Sequence, residues 1–133
     1  MKWSEWGQTE LGKAFDVTTL SVIGELDPTG ANGVVREVLS MFQLSLESAL
    51  ESTERDIRSA GGAKRLRFAA HKLKSAAGQL GALRLAASCG AVEKHLTANP
   101  ERSPQLDVDL RILVDVEMAE IIRVQRRLRA LLD

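Results

Sequence analysis

The residues best suited to chemistry in this chain are its two histidines, His71 and His95, and its one cysteine, Cys89. His71 has the most suggestive surroundings. The run from Lys64 to Lys74 holds five Lys or Arg residues and no acid. An imidazole, with an ordinary pKa of about 6.5, is largely neutral near pH 7 and is then a competent nucleophile. Were His71 to take a phosphoryl group, the added charge of about −2 would need cations close by and room above the ring. Lys74, one helical turn along, and Arg67, one turn before, supply cations within reach of such oxygens. Ser75 and Gly78 are small and leave the room.

That chemistry depends on which way the imidazole points. Leu66, Ala69, Ala70, Leu73, Ala76, Ala77 and Leu80 step by three and four, the spacing of one apolar helix face, and the helix stops near Gly81. At about 100° per residue these positions lie within about 60° of a common direction, and His71 lies roughly 160° from it. The imidazole therefore faces water, with Lys64, Arg67, Lys74, Ser75 and Gly78 on the same outer side. Phe68 also falls on the outer half, where an aromatic ring is either covered by another segment or serves to anchor a partner. Spacing alone is satisfied equally by a solvated, idle histidine.

The rest of the chain supplies the frame. Val35, Val38, Leu39, Phe42, Leu46, Ala49, Leu50, Thr53 and Ile57 mark a long helix, with Gly61-Gly62 expected to end it or the turn after it through left-handed glycine geometry. Leu85, Ala86, Cys89, Val92 and Leu96 mark another, closing near Asn99-Pro100. Leu110, Leu113, Val114, Ile121, Val124, Leu128 and Leu131 mark the last, with Ile112, Val116 and Ile122 widening its stripe toward a second neighbour. Asp16 caps a short helix through Leu20 and Ile23, and residues 1–15 are a tail or a further short helix. No period-two alternation is sustained. The expected fold is all-α: an antiparallel four-helix bundle with a short additional N-terminal helix.

Composition sets the outer limits. With 133 residues the chain is one domain. Eighteen Lys plus Arg balance 18 Asp plus Glu, which argues against a dedicated nucleic-acid binder. No apolar run approaches the roughly 18 residues of a membrane span, and Met1-Lys2-Trp3-Ser4-Glu5 lacks a signal-peptide core. A lone cysteine fits a reducing compartment. A cytoplasmic monomer is expected.

The run Ala70-His71-Lys72-Leu73-Lys74-Ser75-Ala76-Ala77-Gly78-Gln79-Leu80-Gly81-Ala82 resembles the signature of histidine-containing phosphotransfer (HPt) domains. Leu85-Ala86-Ala87-Ser88-Cys89-Gly90-Ala91-Val92-Glu93 is similar to the family's following helix, and the likeness covers roughly residues 16–133. The resemblance implies a phosphorelay intermediate. His71 would accept a phosphoryl group from the aspartyl phosphate of one receiver domain and pass it to the aspartate of another. It also implies no autonomous kinase activity and no intrinsic cofactor, with Mg²⁺ brought by the receiver. Lys74 matches the family's charge-neutralising lysine, Gly78 and Gly81 match recurrent small positions, and Glu93 falls where a polar residue often stands near the histidine. Response-regulator receivers and hybrid sensor kinases are the expected partners, docking over Lys64, Arg67, Phe68, Lys72, Ser75, Gly78 and Gln79. One departure stands out: Ser75 replaces the glycine usual after the motif lysine, which bears on how closely a partner backbone approaches.

Three other readings compete. A sensor kinase's dimerising helix pair would place an acid directly after the histidine and a proline soon beyond, whereas here Lys72 follows and no proline occurs before Pro100. A metal-binding bundle would need more ligands than two histidines and one cysteine, with Cys89 expected in the core and His95 at a surface or helix end. A non-catalytic interaction module would use the broad apolar surface of the last helix, with Arg123, Arg126, Arg127 and Arg129 as a solvated, dipole-favoured end.

Overall fold

The computed structural model describes residues 14–132. Among them lie α1 (Val17–Gly24), α2 (Val34–Ile57), α3 (Ala63–Leu80), α4 (Leu83–Ala98) and α5 (Val108–Leu132), with a 3₁₀ turn at Pro104–Leu106 before α5. No strand occurs among the described residues. The expectation for residues 1–13 lies outside them.

Each stripe read from the sequence becomes one wall of the core. Leu39, Phe42 and Leu46 of α2, Leu73 and Ala77 of α3, Leu85 and Cys89 of α4, and Ile121, Val124 and Leu128 of α5 pack in one cluster. Ile57, Leu66, Ala70, Val92, Leu96, Leu110 and Val114 fill the other end. The helices form a ring in which α2 packs on α3, α3 on α4, α4 on α5 and α5 back on α2, so α3 and α5 are diagonal. Short links between adjacent members make the bundle antiparallel. α1 packs against α2 and α3. Asp16 caps it as expected, accepting from the Thr18 amide at 3.2 Å, and Phe15 meets Phe42 edge-on with ring centroids 6.3 Å apart.

Two glycines are fixed by geometry. Gly81 ends α3 at φ +85°, and its carbonyl accepts from the Asp16 amide at 2.7 Å. Gly61-Gly62 close the turn after α2, as expected, but neither is left-handed. α2 already ends at Ile57, and Gly62 begins α3 with an ordinary φ of −81°. A Cβ there would stand 2.1 Å from the Asp56 carbonyl oxygen, so close approach rather than left-handed backbone demands glycine.

The last helix also departs from expectation. Ile112, Val116 and Ile122 do not reach a second neighbour; they are 58%, 51% and 36% exposed. Its buried side instead includes Glu117, Glu120 and Gln125. Glu120 is satisfied by Arg84 at 2.6 Å and Arg123 at 2.8 Å. Glu117 lies against the Cys89 thiol, and burial pushes its carboxyl up to about 7. Partial neutralisation lowers the cost of placing it there.

Candidate functional site

α3 presents His71 outward because the flanking Ala70 and Leu73 are buried in the bundle. The imidazole side chain is 64% exposed, as the wheel requires. It is not surrounded by cations alone, however. Glu93 reaches across from α4 and accepts from both neighbours: His71 Nδ1 stands 2.5 Å from one carboxylate oxygen and Lys74 Nζ 2.8 Å from the other. The acid-free run around His71 hid this, because the carboxylate comes from a different helix. Glu93 entered the sequence reading only through the family likeness, and no periodicity argument selected it.

The electrostatics fix the ring. The Lys74 hydrogen bond, opposed by partial burial and aided by the bond and charge of His71, holds the Glu93 carboxyl below its ordinary range. A charged carboxylate only accepts, so Nδ1 carries the proton and a neutral ring keeps its lone pair on Nε2, the nitrogen turned away from Glu93. Lys74 is half-buried rather than fully exposed. Its stem passes over α4, where a Cβ on Gly90 would touch it at 3.4 Å. A shallow cleft lined by Arg67, Phe68, His71, Glu93 and Thr97 opens beside the ring.

The remaining expected residues surround this point. Lys64, Arg67, Lys72, Ser75 and Gln79 are exposed, and a Cβ on Gly78 would meet nothing within 4 Å. Phe68 is 66% exposed, and the Lys72 ammonium lies 5.9 Å from its ring centroid. Phe68 and Lys72 form one wall of a groove whose opposite wall is α2, through Leu44, Ser48 and Ser52. Leu44, also 66% exposed, was missed because its own helix stripe gave no reason to look beyond the buried positions.

His95 and Cys89 stand apart from the site. Cys89 is buried as expected, and burial together with Glu117 pushes its thiol up. His95 is not a surface residue. Its side chain is 14% exposed, and Nε2 stands 2.8 Å from Asp107 at the start of α5. Among the described residues no three His, Cys, Asp or Glu side chains converge as a metal site would require. None of the described helices is long and apolar enough to cross a membrane.

The Hpt domain family model matches residues 37–133. The chain belongs to the Hpt domain family. Comparison with curated proteins and with solved structures returned no match. Hpt domains are phosphohistidine carriers of two-component phosphorelays and work with receiver domains and kinases. The match begins inside α2, and it contains His71, Lys74 and Glu93 together.

Proposed function

We propose that this Hpt domain carries phosphoryl groups on His71 Nε2 between receiver aspartates. In the accepting step the Nε2 lone pair attacks the phosphorus of a receiver aspartyl phosphate. The new P–N bond forms as the bond to the aspartyl oxygen breaks, and the receiver recovers its carboxylate. The ring becomes positively charged, with its Nδ1 proton held on Glu93, which stabilises that charge. In the donating step a second receiver's carboxylate attacks phosphorus and the P–N electron pair returns to Nε2. Lys74, Arg67 and Lys64 offset the charge of the phosphoryl oxygens. To do so, Lys74 shares or leaves Glu93.

Mg²⁺ would come with the receiver, whose acidic pocket the basic surface around His71 complements. Response-regulator receivers and hybrid sensor kinases are the partner class. The groove beside Phe68 offers them an apolar foothold next to the nucleophile.

One observation carries the reading: an exposed imidazole whose inner nitrogen is held by a carboxylate, leaving the outer one to a visitor. The test is incubation with a phosphorylated receiver and Mg²⁺. Wild type takes the label and His71→Gln does not; equal labelling of the two would end the proposal.

A further inference from the structure

The outer face of α5 is unusual for a surface helix. Val108 is 72% exposed, Ile112 58%, Val116 51% and Ile122 36%. Scattered exposed apolar residues are ordinary, but a row on one helix face is not. At about 100° per residue, positions 108, 112, 115, 119, 122, 126 and 130 share a strip about 80° wide, with Val116 about 40° beyond its edge. Along it stand Val108, Ile112, Asp115, Ala119, Ile122, Arg126 and Ala130. Asp115 pairs with Arg111 of its own helix at 3.2 Å and is exposed; Arg126 is exposed.

From Ile112 to Ala130 this order is complementary to its own reverse. Turn a second α5 antiparallel about a point between Ala119 and Ile122. Ile122 of each copy then sits over Ala119 of the other, large against small, and does so twice. Asp115 of each meets Arg126 of the other, again twice, and Ile112 comes opposite the Arg129–Ala130 step. Ala119, Ile122, Arg123, Arg126, Arg127 and Ala130 already line a shallow groove along the helix, with cations on the side that Asp115 of the other copy approaches. Antiparallel helix dipoles add to the match.

From this self-complementarity we infer that the α5 face binds a second copy of this chain through a two-fold axis. This replaces the monomer expected from the sequence. A single helix-on-helix contact is smaller than a standard interface, so the dimer is weak and concentration-dependent. Because α5 is diagonal to α3 in the ring, both His71 sites remain open to receivers.

Sedimentation equilibrium of the full chain at low salt tests the inference. Wild type shows a monomer–dimer equilibrium that weakens as salt rises, and Ile122→Glu stays monomeric with unchanged helicity. Asp115→Arg and Arg126→Asp each weaken association by about tenfold, from two lost ion pairs. The double variant regains it, because the exchanged charges meet again across the axis. A wild type that is monomeric at every concentration overturns the proposal, as does a double variant no better than the singles. If Ile122→Glu slows phosphoryl exchange with a receiver, the face serves that partner and the proposal also fails. Phosphoryl uptake on His71 is read in parallel, so loss of the relay reading and loss of the dimer are separable.

Discussion

α4 contributes one member to each of two histidine–carboxylate pairs, and the two pairs have opposite characters. Glu93 and His95 are two residues apart, so at about 100° per residue they leave the helix about 160° apart. Glu93 turns to α3 and holds His71; His95 turns to the start of α5 and holds Asp107. In the first pair the histidine is 64% exposed and its carboxylate 20%. In the second those values are 14% and 4%. The open pair leaves a ring nitrogen for a visiting group. The closed pair is spent on structure, for the other oxygen of Asp107 accepts from the Leu110 amide at 3.1 Å and caps α5. The same pairing of imidazole and carboxylate thus leaves the ring open to solvent or spends it on structure, and burial decides which.

The sharpest way to break this contrast is to remove each histidine in turn. His71→Gln abolishes phosphoryl labelling while its melting temperature stays near wild type. His95→Gln keeps labelling and melts lower. Labelling that followed His95 would invert the assignment. The next largest effect is on the clamp. Asp107→Ala loses a helix cap and leaves His95 without its partner, lowering stability by about 2 kcal/mol in urea unfolding. Its phosphoryl-exchange rate is unchanged.

The clamp also has a pH signature. Burial raises the Asp107 carboxyl, but the hydrogen bonds from His95 and the Leu110 amide, with the charges of His95 and Arg102, outweigh it and hold the group below its ordinary range. A carboxyl with a depressed folded-state pKa contributes stability above its unfolded value, and that contribution is lost as pH falls through the folded one. Acid unfolding of wild type below about pH 4 should thus be blunted in Asp107→Asn, which has nothing there to titrate.

How far each pair was legible follows from the same contrast. Periodicity placed α2 to α5 and turned His71 to water, because one-sided burial writes itself at steps of three and four. It could not join His71 to Glu93, since contact between helices depends on their relative rotation, which a single stripe does not encode. His95 does stand in the last turn of α4, as its position implies, but its burial against Asp107 was not legible, because the loop that folds Asp107 back on it has no period. The last helix misled in another way. Ile112, Val116 and Ile122 look like extra core by residue type, yet Glu117, Glu120 and Gln125 take the buried positions. Hydropathy cannot predict a buried carboxylate such as Glu120, which Arg84 and Arg123 satisfy.

Within the open pair, Glu93→Gln keeps the shape and removes the charge. The amide carbonyl still accepts from Nδ1, so the ring stays oriented, but the positive ring of the phosphorylated state loses its counter-ion. Exchange should slow roughly tenfold, a modest electrostatic loss on the scale of active-site substitutions. The unfolding midpoint should barely move. A rate equal to wild type would show that Glu93 orients the ring and no more.

The smallest effect expected concerns docking and separates it from chemistry. Phe68 is 66% exposed, so truncating it opens no cavity, and Phe68→Ala should leave the melting temperature close to wild type. If the groove between α2 and α3 receives the partner, the same change weakens receiver binding severalfold, up to about tenfold for a central anchor. The exchange rate at saturating receiver stays the same, because His71, Glu93 and Lys74 are untouched. Leu44→Ala, on the opposite wall, should act in the same direction and more weakly. A Phe68→Ala protein that melts lower but binds as well would instead make the ring part of the bundle's packing, and receivers would then have to approach His71 over the basic face alone.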